Sequence, residues 1–383
     1  MKFAHLSDIH IGKRVGEFSM IEDQRYILDE IIKILKENNV DAVFIAGDVY
    51  DKSMPSAEAV TLFDDFMTKL ADLSDDGIRK HIFIISGNHD CAERISFASR
   101  IMENVNIHIS PAFSGELKRV QMTDEYGDIN IYMLPFIKPV GIKQYYKDCE
   151  INDYTSAVRT VIEHENIDTN KRNIIIAHQF VTGASRCDSE EVTVGGLDNV
   201  NADVFDTFDY VALGHIHGRQ QIGRETLRYC GSPLKYSFSE EKHVKSVIIG
   251  EICAKNGEFA DISTTEVPLK PLRDMRKIRG TYDEVTLRDN YIMTNLDDYV
   301  HITLTDEEEI PDAISKLRSI YPNIMKLDYD NTRTRENKNL TVSEVKKKSP
   351  LELFSEFYEV QNNQPMNHEQ EKFMVQLIEN IWK

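Results

Sequence analysis

Cysteine is scarce in this chain of 383 residues: Cys91, Cys149, Cys187, Cys230 and Cys253 are scattered, and no two form a Cys-x-x-Cys pair. That spacing excludes a disulfide framework and a thiolate zinc site, and it fits a reducing compartment. Long apolar runs are missing as well. None approaches the roughly 20 residues that span a bilayer, and Met1–Asp8 lacks the apolar core of a signal peptide. No membrane association and a cytoplasmic location are therefore expected. Positive charge is in deficit: 45 Lys and Arg stand against 64 Asp and Glu, for a formal net charge of −19. Such a chain does not hold nucleic acid by bulk charge. Basic residues do gather in Lys270–Arg288 and Arg333–Lys348, while residues 41–76 are acidic enough to invite bound cations. There is no internal repeat and no low-complexity tract. The length suits two or three domains.

Apolar runs and helical stripes alternate along the first part of the chain. Lys2–Leu6, Val40–Ala46 and His81–Ser86 read as buried strands. Between them, Met20–Asn38 carries Ile27, Leu28, Ile31, Ile32 and Leu35 at helical spacing, and a stripe from Ala59 to Leu70 follows Pro55. Strand–helix–strand order predicts parallel pairing with helices on the sheet faces. Ile129–Leu134, Ile174–Ala177 and Tyr210–Leu213 continue the strands, with a helix over Tyr154–Glu165. Leu227–Cys230 and Lys245–Ile252 are expected to extend a second sheet. The predicted fold class is α/β, a two-sheet sandwich over residues 1–268.

After Pro268 the character changes. Tyr282–Leu287, Tyr299–Leu304 and Ile324–Tyr329 read as strands and Pro311–Ile320 as a helix, a small α+β unit over 269–335. Residues 336–349 read as a polar linker. Residues 350–383 read as a helical tail of two amphipathic helices with apolar stripes too small to fold alone.

The chemistry sits where strands end. Gly87-Asn88-His89-Asp90 follows one strand, and taken singly it is a turn. Four other strand ends carry similar residues: Asp8 and His10, Asp48 and Asp51, His178, and His215 with His217. Ligands of open α/β sheets bind beyond the carboxyl ends of strands. If the backbone stays extended, i and i+2 share a side, which pairs Asp8 with His10 and His215 with His217. Carboxylates, imidazoles and an amide without thiolates suit Mn²⁺, Fe²⁺ or Zn²⁺. There are too many donors for one ion. The expected division gives Asp8, His10 and His217 to one ion and Asn88, His178 and His215 to a second, with Asp48 bridging. Such a pair hydrolyses phosphate esters. His89 is left over and is expected to protonate the leaving oxygen, with Asp51 orienting its ring. Asp90 has no assigned role.

The pattern Asp8-x-His10, Gly47-Asp48-x-x-Asp51, Gly87-Asn88-His89-Asp90, His178 and Gly214-His215-x-His217 resembles the calcineurin-like metallophosphoesterase signature, over roughly residues 1–250. The family usually has Arg after the second Asp; this chain has Lys52. Ala4–Gly12, Gly47–Asp51 and above all Gly231-Ser232-Pro233-Leu234-Lys235-Tyr236-Ser237-Phe238 are similar to one branch of that family, the nuclease subunits of bacterial ATPase–nuclease complexes. Archaeal and eukaryotic relatives commonly carry His where this chain has Asp51, so the bacterial branch is the one matched. The resemblance implies two Mn²⁺ ions, with Mg²⁺ or other divalent ions substituting in vitro. It implies exonuclease action on double-stranded DNA ends and endonuclease action on single strands and hairpins. It also implies a homodimer within a heterotetramer, whose partner is an ABC-type ATPase with a coiled coil docked on the C-terminal helices. The 269–335 unit would be a capping domain, with Arg273, Arg276, Lys277 and Arg279 available to phosphates. The competing expectations are a stand-alone phosphoesterase acting on a small phosphate ester, and a scaffold that has lost catalysis; the complete donor set speaks against the latter.

Overall fold

A computed structural model describes residues 1–75, 77–190, 198–332, 350–362 and 365–381. The 336–349 linker expectation falls outside them. Two six-stranded mixed sheets form the core. The first contains β1 (Lys2–Leu6), β2 (Ala42–Ala46), β3 (His81–Ile85) and β4 (Ile107–Ser110), all parallel, in that order. The second is built on β6 (Gly127–Leu134), β7 (Arg172–His178), β8 (Tyr210–Gly214) and β10 (Arg224–Tyr229), parallel to one another. Two antiparallel strands flank it: β5 (Lys118–Asp124) on β6 and β9 (Gln220–Ile222) on β10.

Strand β11 (Ser246–Lys255) departs from the expectation of second-sheet membership. It pairs antiparallel with β1 in the first sheet, and β12 (Ala260–Pro268) pairs antiparallel with it. The far edge of β1 carries unpaired backbone groups that need a partner, and an apolar run alone does not say which sheet it joins. The register sets Gly250 opposite Phe3. A Cβ on Gly250 would run into the Phe3 ring, so the glycine makes room for an aromatic in the inter-sheet layer.

Period-two alternation sorts the side chains into three layers. Phe3, Phe44, Phe83, Ile131, Ile174 and Tyr210 point between the sheets. Ala4, Val43, Ile45, Ile82 and Ile84 point outward, under α1 (Ile21–Glu37) and α2 (Ala57–Ala71). On the other side Tyr132, Ile175, Val211 and Leu213 lie under α3 (Tyr154–His164). The helix starts follow their caps: the Ser56 hydroxyl accepts the Ala59 N–H, and Asp153 with Ser156 forms a capping box. His5 is a polar tie inside the middle layer. Its Nδ1 meets the Tyr210 hydroxyl at 3.1 Å and its Nε2 the Leu213 carbonyl at 3.1 Å. Burial lowers the His5 pKa to about 3, so the tie is made by a neutral ring.

Beyond the sandwich lie β13 (Met275–Gly280), β14 (Tyr299–Leu304) and β15 (Ile324–Tyr329), a three-stranded sheet in that order. The segment expected as a strand at Tyr282–Leu287 is helical, α4 (Tyr282–Thr286). Thr281 and Glu284 form a capping box there, and this local signal outweighs the apolar spacing. The helix expected over Pro311–Ile320 is shorter, α5 (Ala313–Arg318). Helices α6 (Pro350–Asn362) and α7 (His368–Ile381) end the described chain. The contacts divide into two units. One comprises Met1–Lys277, Asn295–His301 and Tyr321–Met325; the other comprises Ile278–Thr294, Ile302–Ile320 and Lys326–Lys383. Among the described residues no helix is long and apolar enough to cross a membrane.

At the top of the sandwich Gly214 lies against the end of β2, and a Cβ there would collide with the Ala46 carbonyl oxygen. Because that obstacle is backbone, Gly214→Ala is expected to destabilise the protein by about 1–3 kcal/mol. A lowered urea midpoint checks this; an unchanged midpoint contradicts it.

Candidate metal centre

Every candidate ligand lies at or just past the end of a parallel strand of one sheet or the other. Asp8 and His10 follow β1, Asp48 follows β2, and Asn88 with His89 follows β3. From the second sheet His178 ends β7, and His215 with His217 follows β8. The structure brings all of them together. Asp48 stands at the middle. Its Oδ2 lies 3.3 Å from His178 Nε2, 3.7 Å from His10 Nε2 and 3.9 Å from His89 Nε2. Its Oδ1 accepts the His89 main-chain N–H at 3.0 Å. Around it are groups of donor atoms close enough to share an ion: Asp8, His10 and His217; Asp8, Asp48 and His178; His10, Asp48 and His89. The Asn88 Oδ1 lies 3.1 Å from His178 Nε2 and 3.0 Å from His215 Nδ1.

The route to this arrangement differs from the expected extended backbone. Asp8, His10, Asp48 and His215 have φ of 52°, 48°, 50° and 104°. Side-chain positions i and i+2 therefore do not share a side by strand geometry. His215 faces Asn88, whereas the His217 Nε2 faces His10 Nε2 at 3.0 Å. Four non-glycine residues with positive φ cost on the order of 1–3 kcal/mol each, strain of a kind that clusters at functional sites.

The electrostatics follow from burying two carboxylates among imidazoles. Burial works to raise Asp48, but His178, His10 and His89 together hold its carboxyl well below the usual range. Burial works to lower His178, but Asp48 outweighs it and lifts the ring to about 9. Asp8 is pushed up by burial and by the charge of Asp48, and its carboxylate accepts from Ser7 Oγ and from His215 N–H at 3.0 Å. Burial lowers His10, and among the described residues its Nδ1 has no hydrogen-bond partner. Two buried carboxylates, several imidazole nitrogens facing one another and an amide oxygen, with no thiolate, are donors that fit a pair of divalent cations.

The residues around the ligands refine the sequence reading. The His89 ring is oriented at Nδ1 by the main-chain carbonyl of Asp51 at 2.9 Å, whereas the Asp51 carboxylate pairs with Lys13 Nζ at 2.7 Å. Carboxylate support of His89 is thus replaced by carbonyl support. Asp90, left without a role, accepts the main-chain N–H groups of Val49, Tyr50 and Gly87 at 3.1, 2.9 and 2.9 Å. It ties the loop after β2 to the loop after β3. Burial and the Asp48 charge push its carboxyl up to about 6 against these three donors. Among the residues that support the ligands, Gln24 and Phe136 had no signal in the sequence, whereas Tyr236 lies in the Gly231–Phe238 segment singled out there. Gln24, on α1, donates to the Ile9 and His10 carbonyls. Tyr236 donates to the Ile9 carbonyl, and Phe136 stacks along His215. Three of the four basic residues expected to meet phosphates pair with carboxylates. Arg273 pairs with Glu22 and Asp23, Arg276 with Asp298, and Arg279 with Asp330.

A sandwich whose strand ends gather this donor set is a metallophosphoesterase scaffold, with donors that fit two divalent ions. The family model for calcineurin-like phosphoesterases matches residues 1–219, and the chain belongs to that family. A second model, the type 5 capsule protein repressor C-terminal domain, matches residues 271–362. Along nearly its whole length the chain is a homologue of the SbcD subunit of the nuclease SbcCD from Staphylococcus epidermidis, 33% identical over 373 residues that cover 97% of this chain and 96% of the relative. Among solved structures, a dimetal phosphatase from Danio rerio aligns with a TM-score of 0.42 and 9% identity, over 70% of this chain and 99% of that one. An anchor of the inner membrane complex of Plasmodium aligns with a TM-score of 0.39 and 14% identity, over 85% and 96%.

Asp90→Ala would strip three main-chain donors of their acceptor, and a loss of about 1–3 kcal/mol is expected. Equilibrium urea unfolding measures it; full wild-type stability would show that the tie between the two loops is dispensable.

Proposed function

We propose that this chain is the nuclease component of an SbcCD-type complex. In that role it is a Mn²⁺-dependent phosphodiester hydrolase acting on DNA ends as an exonuclease and on single strands and hairpins as an endonuclease, in DNA repair, recombination and replication. The observation that carries this reading is the similarity to an SbcD subunit of the nuclease SbcCD over 97% of this chain, joined to buried groups of Asp and His donors.

Asp8, His10 and His217 would hold one Mn²⁺, Asn88, His178 and His215 the other, and Asp48 would serve both. When bound, such a pair supplies a water of lowered pKa and neutralises charge growing on phosphoryl oxygens. The chain's own part is positional and protic. Asp48 keeps the two groups in register from the centre. His89 would do the protic work: its Nδ1–H is occupied by the Asp51 carbonyl, so Nε2 is directed into the site, and a proton carried on Nε2 of the doubly protonated ring can pass to the leaving oxygen, leaving the neutral Nδ1–H ring. The Nδ1 of His178 donates to the Ala46 carbonyl at 2.8 Å, which turns its Nε2 to the cluster.

The partner proposed is an SbcC-type ABC ATPase with a coiled coil, bound by a dimer of this chain. Helices α6 and α7 leave Phe357, Phe373 and Leu377 exposed. Apolar side chains on a helix pair suit a helix-in-groove contact.

His89→Ala is expected to retain Mn²⁺ and to lose about 100-fold or more in cleavage of single-stranded and hairpin DNA. A wild-type rate would remove His89 from the mechanism. If the unmodified chain hydrolyses bis-p-nitrophenyl phosphate but no DNA, with or without SbcC and ATP, the small-ester reading replaces the nuclease one. Deleting residues 350–383 is expected to spare ester hydrolysis and abolish co-purification with SbcC; retained co-purification would place the docking surface elsewhere.

A further inference from the structure

Three of the site imidazoles have their outward nitrogen satisfied, and the partners differ in kind. For His178 and His89 that partner is a main-chain carbonyl, of Ala46 and of Asp51. A carbonyl only accepts, so Nδ1 carries the proton and Nε2 is turned inward. For His217 the partner is a side chain. Its Nδ1 lies 2.7 Å from Ser189 Oγ, and that hydroxyl lies 2.6 Å from Glu240 Oε1.

A hydroxyl can donate or accept, so its direction must come from the next group along. Glu240 Oε2 is 2.5 Å from Lys245 Nζ, and both residues are buried. Paired to an ammonium out of water, Glu240 is a carboxylate and only accepts. The single Ser189 hydrogen therefore goes to Glu240. The imidazole must then donate to Ser189, which places its proton on Nδ1 and a lone pair on Nε2. That Nε2 is the atom 3.0 Å from His10 Nε2 in the Asp8–His10–His217 group. The main chain of His217 is clamped by the same neighbourhood. Its N–H donates to Glu190 Oε1 at 2.6 Å, and its carbonyl accepts from Lys245 Nζ at 2.9 Å.

We propose that Ser189, Glu240 and Lys245 form a positioning relay that fixes the His217 tautomer and so sets how tightly the ion of the Asp8–His10–His217 group is held. The proposal rests on the two-ion reading above. It also gives work to Gly231–Phe238, the segment that sets this branch of the family apart and for which the two-ion chemistry has no use. Ser232 Oγ accepts from Lys245 Nζ at 2.8 Å, and Tyr236 N–H and Ser237 Oγ donate to Glu240 Oε1, both at 3.2 Å. The segment is the cradle of the relay's charged pair. Ser189 comes from a different stretch, so ion affinity at this group depends on two segments whose described residues contribute no ligand.

The test uses the full chain. Ser189→Ala is expected to weaken one of two Mn²⁺ equivalents by about 10–100-fold, the usual consequence of losing a hydrogen-bond partner behind a metal-binding imidazole, and to leave the other equivalent near wild type. Ser189→Thr, which keeps the hydroxyl, is expected to restore binding. Glu240→Gln offers an amide donor that turns the Ser189 hydroxyl toward His217, and is expected to move the ring proton to Nε2. Ring ¹⁵N spectra of the metal-stripped, histidine-labelled protein, with His217 assigned through His217→Gln, read this directly. An Nδ1–H tautomer in the wild type that shifts in Glu240→Gln supports the relay. An Nε2–H tautomer in the wild type, or wild-type affinity at both equivalents in Ser189→Ala, overturns it. If Glu240→Gln does not fold, the Ser189 pair decides alone. A wild type that binds no Mn²⁺ would instead sink the two-ion reading on which the relay rests.

Discussion

One buried carboxylate faced by imidazoles is the constraint from which the rest follows. Asp48 has almost no solvent to stabilise its charge, so that charge must be met by cations or protons on neighbouring rings. Three rings meet it, and they come from three different strand ends. Holding them there requires the two sheets to present their carboxyl ends together. It also requires glycine at Gly47, Gly87 and Gly214, where a Cβ would strike His178, Asp48 or the Ala46 backbone. The positive-φ turns at Asp8, His10 and Asp48 are part of the same requirement. They bring carboxylates and rings inward over a shorter path than a strand allows.

Support for the cluster comes in two materials. Main-chain carbonyls orient His178 and His89, so those rings are set by the fold itself. Side chains set His217, and a carboxylate gathers the loops after β2 and β3 through Asp90. The backbone-held rings survive any change that keeps the strands in place. The side-chain-held ring is open to single substitutions well away from any donor atom.

Much of this is legible in the residues alone. Apolar runs separated by helical stripes give the parallel strands, because burial on both faces leaves few polar positions in β1, β2, β3, β7 and β8. The donors are legible because ligand-type residues recur at strand ends. What stays hidden has physical reasons. The sheet that takes β11 is decided by a free edge at β1, a tertiary fact with no local trace. The α4 segment reads as a strand because its apolar spacing fits one, while the Thr281–Glu284 box that starts the helix is short. Asp51 invites a carboxylate contact because type and spacing are visible in a sequence, but main-chain carbonyls are not. Glu240 sits in the charged tract Ser239-Glu240-Glu241-Lys242-His243, where nothing distinguishes the one buried carboxylate from its less buried neighbours.

The placement of the donors on two sheets has a mechanical meaning. In the proposed division each ion draws on both: Asp8 and His10 with His217, and Asn88 with His178 and His215. An ion held in this way is a rivet through the sandwich at its upper rim, a few residues beyond the tie that His5 makes with Tyr210. Sliding or splaying one sheet against the other would have to break coordination at both ions at once. Ions that bound the closed arrangement alone would load the rim against opening by mass action as their concentration rose. The same atoms that are proposed to cut a phosphodiester would then also keep the two halves of the molecule from shearing.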